Sequence, residues 1–281
     1  MSFDLNRAVR QASGFIFDMD GTIALGDAAS GGHKPLPFAL ETIAAVKAAG
    51  IPLRVFTNGT AKPPATYAAS LRAAGFDVAD HDMMTPSTSA ALWLKRQGLN
   101  RVRVLGNSGC AAPLADLGLE VIGPNEPASG VDAVYTGWHR DFVFPDLEAA
   151  CDDIWAGARL VTASNVPFFA TATGRAIGAS YPINAMIRSL TAKRPLILGK
   201  PSRISFVEAA RSMGLKPKDH SRVIVVGDDP ALEMRMASNA RAISIGLTTG
   251  MLTREMLPDL AVAERPHVLL DSLSPLLSAL I

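Results

Sequence analysis

Short apolar runs alternate along the chain with Ala- and Leu-rich helical stretches, which predicts an α/β fold on a largely parallel sheet. A second observation extends this. At 281 residues the chain exceeds the usual size of one domain, and a long middle section carries strands and helices of its own. The expectation is therefore a parallel-sheet core into which a second α/β domain is inserted.

The first strand is "GFIFD". It is followed by "LPFALETIAAVKAAG", an amphipathic helix closed by Gly50, then by "IPLRVFTNG" as a second strand and "PPATYAASLRAAGF" as a helix with prolines at its start. Toward the other end, Pro201 and Ser202 open the helix "SRISFVEAARSMG". "SRVIVVGDD" is the most strand-like segment of all, "PALEMRMASNA" reads as a helix, "RAISIGL" as a strand, and "HVLLDSLSPLLSALI" as a last strand and helix. The Gly-rich stretch "LGDAASGGHKPLP" reads as a mobile loop beside the first strand.

The middle section has strands at "RVRVLG", "LEVIG", "VDAVYTG" and "ARLVTAS", and helices at "PSTSAALWLKRQG" and "PDLEAACDDIWAG". We assign residues 85–189 to the inserted domain and residues 1–84 and 190–281 to the core. No internal repeat or low-complexity tract interrupts this pattern.

Composition excludes several classes. Lys and Arg number 27 against 26 Asp and Glu, so bulk charge gives no support to a nucleic-acid polymer as partner. No apolar run reaches the roughly 18 residues of a membrane span and the opening "MSFDLNRAVRQASG" has no apolar signal core, so a cytoplasmic protein without a membrane partner is expected. Cys110 and Cys151 lie far apart and outside any CxxC pair, which argues for buried small hydrophobes rather than a disulfide or zinc site.

The chemistry concentrates at strand ends. In an open parallel sheet ligands bind beyond the carboxyl ends of the strands, where Asp18 and Asp20 fall. "SRVIVVGDD" also ends in acids, Asp228 and Asp229. If the two strands are neighbours, at least three carboxylates share one crevice, a costly arrangement unless a divalent cation neutralises it, and hard oxygen ligands favour Mg²⁺ over zinc. Thr57 and Asn58 supply a hydroxyl and amide donors near a helix start, and Lys200 a positive charge. Together these groups suit a phosphoryl group.

The ordered segments "DMDGT", "VFTNGT", "LGKPS" and "VVGDD" resemble the four motifs of the haloacid dehalogenase superfamily. "TNGTAKPPATYAASLRAAGF", "TPSTSAALWLKRQG" and "LILGKPS" are similar to its NagD-like, class IIA branch, which carries a large α/β cap between the second and third motifs. The resemblance implies a Rossmann-like core with that cap, and a Mg²⁺-dependent phosphatase acting on a small phosphorylated metabolite. Asp18 would be the nucleophile and Asp20 the general acid and base. Thr57, Asn58, Gly59 and Lys200 would hold the phosphoryl group, and Asp18, the main-chain carbonyl of Asp20 and Asp228 would bind Mg²⁺. Sugar phosphates, nucleoside monophosphates, phosphoglycolate and pyridoxal phosphate all fall within the substrates it implies, and a homodimer through the cap is a further implication.

The fourth motif departs from the branch's usual form. "GDDPALEM" places Leu232 and Glu233 where Thr and Asp are usual, so both Asp229 and Glu233 are candidates for the supporting acid. In the cap, Trp138, His139 and Arg140 in "TGWHRDF" and Asn165 in "ASNVPFF" are candidates for substrate choice. His33, His81, His220 and His267 lack ligand spacing and read as surface or satisfied histidines, and Met234 and Met236 as core packing. A phosphotransferase or mutase, and a non-catalytic phospholigand-binding protein, are the rival functions that this motif set leaves.

Overall fold

The computed structural model describes residues 3–26, 32–171 and 174–281. Its strands, in chain order, are β1 (Gly14–Phe17), β2 (Ala24–Gly26), β3 (His33–Pro35), β4 (Leu53–Phe56), β5 (Met83–Met84), β6 (Arg101–Leu105), β7 (Glu120–Ile122), β8 (Ala133–Thr136), β9 (Arg159–Thr162), β10 (Phe168–Thr171), β11 (Gly174–Ile177), β12 (Leu196–Ile197), β13 (Val223–Gly227), β14 (Ile243–Leu247) and β15 (Val268–Leu270). The chain divides into two compact units. The first comprises residues 1–57, 65–84 and 200–281, and the second comprises residues 58–64 and 85–199. Residues 58–64 and 190–199 thus group with the second unit, beside the 85–189 assigned to it from sequence.

In the first unit six parallel strands run in the order β15-β14-β13-β1-β4-β5. All four residues of β1 and of β4 and all five of β13 are buried, as strands covered on both faces must be. Apolar side chains from one face, among them Phe15 and Phe17 with stacked rings 5.5 Å apart, pack into one core cluster, and Ile16 and Val225 are buried on the other face. From β1 the chain proceeds to β4 and β5 on one side, and β13, β14 and β15 lie on the other. The order therefore reverses at the β1/β13 border, the place where open parallel sheets bind ligands.

Register fixes what emerges there. Phe17 pairs with Val226 on one side and Val55 on the other, so Asp18, Asp228 and Thr57 each lie one or two residues past that level on neighbouring strands. The ladder runs one step farther, with the Asp18 amide donating to the Val226 carbonyl (2.9 Å) and the Thr57 amide to that of Met84 (3.2 Å).

The second unit has its own parallel sheet, ordered β12-β9-β8-β6-β7, and the β10/β11 hairpin. Its helices include Pro86–Gln97, capped by Thr85, and Phe144–Trp155 and Ser180–Thr191. Buried Arg103 on β6 pairs with Asp153 at 2.5 Å and also donates to the carbonyls of Gly123, Pro124 and Glu126.

The expected α/β class, the parallel core sheet and the inserted second α/β unit are all present. Three local readings need correction. Within the expected loop at 25–37, Leu25 and Gly26 pair with Lys34 and His33 as part of the β2/β3 ribbon, while residues 27–31 lie outside the described residues. "PALEMRMASNA" is not one α-helix: Pro230–Met234 form a wider, π-type turn, and α-helix starts at Arg235. Helix Ser108–Asp116 was not anticipated because Pro113 lies inside it, and proline disfavours helix interiors.

Candidate functional site

Asp18 is buried at 7% exposure and Lys200 at 1%. The Lys200 ammonium donates to Asp18 Oδ1 and lies 2.5 Å from Glu233 Oε1, forming a buried ion triad. The Phe56 ring stands 5.7 Å from the ammonium and covers it. Burial pulls the Lys200 pKa down, but Asp18 and Glu233 more than offset this and hold the ammonium above its ordinary range.

Glu233 owes its position to the π-type turn. The turn opens with Asp229, whose carboxylate accepts from the Ala231 amide at 2.8 Å, and it carries the Glu233 side chain back so that Oε2 accepts from the Asp229 amide at 3.1 Å. Gly227 makes room for this: a Cβ there would stand 2.2 Å from Glu233 Cγ. Of the two acids left open by the sequence, Glu233 is thus the one that touches Lys200. Asp229 caps the turn.

Asp228 is buried and firmly held. Its Oδ1 accepts from Thr22 Oγ1 at 3.2 Å and its Oδ2 from the Met251 amide at 2.9 Å. Gly21, at φ 85°, sits against the same carboxylate, and a Cβ there would meet Oδ2 at 2.5 Å. Burial, followed by the charge of Asp18, pushes the Asp228 pKa up to about 6. Asp20 keeps solvent contact at its side chain, yet dense surroundings and then the Asp18 charge raise it to about 6 as well, with Lys200 and Thr57 acting in the opposite sense. Thr57 Oγ1 lies 3.5 Å from Asp20 Oδ2.

Asp18, Asp20, Thr57, Lys200, Asp228, Asp229 and Glu233 accordingly all belong to the first unit and share one end of its sheet. Asn58 and Gly59 follow Thr57 in the chain and group with the second unit. Thr22 and the 249–251 turn escaped the sequence reading. Thr22 carries a signal, since it completes "DMDGT". The turn carries none, because a main-chain amide serves the site there.

The second-unit candidates have identifiable contacts. His139 Nε2 lies 2.9 Å from Asp146 Oδ2, the acid that also accepts from the Val143 amide at the start of helix Phe144–Trp155. The Arg140 guanidinium lies 5.5 Å from the Trp138 ring centroid, and exposed Asn165 lines a cavity with Arg188 and Arg194. Cys110, Cys151, Met234 and Met236 are buried as expected. Among the described residues, no three His, Cys, Asp or Glu side chains are grouped as a metal site, and no helix is long and apolar enough to cross a membrane.

Two family models match the chain, one described as haloacid dehalogenase-like hydrolase over residues 15–120 and one as HAD-hydrolase-like over residues 197–276. The 5'-nucleotidase YutF of Bacillus subtilis is 26% identical over 262 residues, which span 93% of this chain and 96% of that protein. Among solved structures, a 4-nitrophenylphosphatase from Thermotoga maritima superposes with a TM-score of 0.83 at 26% identity, covering 98% of this chain and 99% of that one. A glycerol phosphate phosphatase from Mycobacterium tuberculosis, in complex with magnesium, gives 0.80 at 25% identity over 97% and 77%. The chain belongs to the haloacid dehalogenase-like hydrolases, in the NagD-like form with an α/β unit inserted between the second and third motifs.

Proposed function

We propose that the protein is a Mg²⁺-dependent phosphatase that hydrolyses a small phosphomonoester through an aspartyl phosphate on Asp18. The observation that carries this reading is the meeting of Asp18, Asp20, Thr57 and Asp228 around buried Lys200 at one end of the sheet. The names of the three relatives each denote action on a phosphomonoester, which supports the same reading.

In the first step an Asp18 carboxylate oxygen attacks phosphorus and the bond to the leaving oxygen breaks, while Asp20 gives its proton to that oxygen. Asp20, now a carboxylate, then takes a proton from water. The water oxygen attacks phosphorus, and inorganic phosphate leaves as the Asp18 carboxylate is restored. Lys200 offsets charge on Asp18 and the phosphoryl oxygens, Thr57 with Asn58 and Gly59 binds those oxygens, and Glu233 keeps the ammonium directed at Asp18. The raised pKa of Asp20 suits a group that must hold a proton before it gives one away.

The donors fit a hard divalent cation. Asp18 and Asp228 offer carboxylate oxygens, Asp228 being raised by burial and then by the charge of Asp18, and the Asp20 carbonyl completes a set of two side chains and one main-chain oxygen. When bound, Mg²⁺ neutralises and orients the transferring group.

The test is phosphate release from a panel of sugar phosphates, nucleoside monophosphates, phosphoglycolate and pyridoxal phosphate, with Mg²⁺ or chelator, for the intact protein and Asp18→Asn. Release that needs Mg²⁺ and disappears in the variant is expected. Folded protein that releases none across the panel would overturn the reading and favour transfer to another acceptor or binding without turnover.

A further inference from the structure

A cavity of about 250 Å³ lies wholly within the second unit, lined by Asn165, Tyr181, Asn184, Arg188, Arg194 and Ile197 among others. Three of these come from one helix. Tyr181, Asn184 and Arg188 are spaced i, i+3, i+7 on Ser180–Thr191 and therefore share a face. Arg194 comes from the segment that leads into β12, so the two guanidinium groups approach the cavity from different elements.

Neither guanidinium makes a hydrogen bond or ion pair among the described residues, and no Asp or Glu is among the residues that line the cavity. Arg194 also borders a second cavity, whose lining adds Arg159 and Lys193 and again no acid. Arg159 lies 4.8 Å from the Trp93 ring centroid, whereas the exposed guanidinium groups of Arg188 and Arg194 have no carboxylate among the residues that line their cavity, and an arriving anion would neutralise them. The position of Arg188 in the last turn of its helix suits the helix dipole, but that role accounts for one arginine only. Arg194 stands outside any helix.

The floor is rigid. Asn184 is 3% exposed, its Oδ1 accepts from Thr136 Oγ1 and its Nδ2 donates to Thr162 Oγ1, both at 2.8 Å. Around the arginines, the Tyr181 hydroxyl and the Asn165 amide add donors, and Ala185, Pro195 and Ile197 add an apolar wall. Guanidinium forks bind planar or tetrahedral oxyanions bidentately, and a mixed wall of this kind accommodates a small organic body.

We propose that this cavity, lined wholly by residues of the second unit, binds the oxyanion, carboxylate or phosphate, of a small metabolite. It uses no residue assigned to hydrolysis, and shares with the sequence reading only Asn165, a candidate for substrate choice.

Equilibrium dialysis of the full chain in chelator, with inorganic phosphate as one probe and citrate as the other, tests it. Asp18→Asn serves as a background in which the sheet-end site is altered and the cavity intact. In that background the expected result is saturable binding of at least one probe. Arg188→Ala/Arg194→Ala should weaken it about tenfold or more, and the lysine pair Arg188→Lys/Arg194→Lys should weaken it by less. Which probe binds identifies the oxyanion. Absence of saturable binding for both probes, or binding that the alanine pair leaves unchanged while its melting curve shows a folded protein, would overturn the proposal.

Discussion

The two units bury charge in opposite ways. In the second unit Arg103 meets one carboxylate, Asp153, through Nε and three backbone carbonyls through Nη1, so its charge is matched. In the first, Asp18, Glu233, Asp228 and Asp20 gather around the single ammonium of Lys200, and burial, followed by the charge of Asp18, raises the pKa values of Asp20 and Asp228. A matched pair holds a fold together. An unmatched cluster is tolerated where something arrives to complete it, and in the function proposed above that is a cation and a phosphoryl group.

The comparison breaks most visibly at Asp18. Asp18→Asn should lower kcat by about 10⁴-fold or more, since loss of a nucleophile removes the reaction path, while the melting temperature changes little. Steady-state kinetics beside a thermal melt checks both halves. Asp153→Ala should do the reverse: about 3–5 kcal/mol of stability is lost because Arg103 is left buried and unpaired, with kcat per folded molecule retained. Chemical denaturation measures this.

A smaller effect is expected with pH in the metal-free protein. Asp228 and Asp20 have folded pKa values raised from 3.8 to about 6, so the stability they contribute is complete below pH 4 and lost as pH rises through about 6. Mg²⁺ should restore it, most strongly above pH 6. Melting temperatures across pH 4–8 with chelator and with Mg²⁺ read this directly, and a flat chelator curve would contradict it. The smallest effect concerns Glu233. Glu233→Gln keeps a hydrogen-bond acceptor near Lys200 but removes the charge, and should lower kcat by about tenfold with little change in KM.

Much of this architecture was legible in the chain. "GFIF", "LRVF" and "VIVVG" read as buried strands because nothing polar interrupts them, and the acids that end two of them marked the end of the sheet that carries the site. What could not be read was set by geometry rather than residue type. The choice between Asp229 and Glu233 depends on a π-type turn and on the space beside Gly227, neither of which has a periodic signature. The Met251 amide that holds Asp228 is a backbone group, and every residue but proline has one. Arg188 and Arg194 meet only because a helix face and a strand lead-in converge.

The central claim is that Asp18 carries the phosphoryl group. Reaction with a turned-over substrate, rapid quenching, and borohydride reduction of any acyl phosphate to homoserine, followed by peptide mass mapping, tests it most directly. The account predicts homoserine at position 18 in the intact protein and none in Asp18→Asn. Turnover without modification at position 18, or with homoserine at another aspartate, would contradict it.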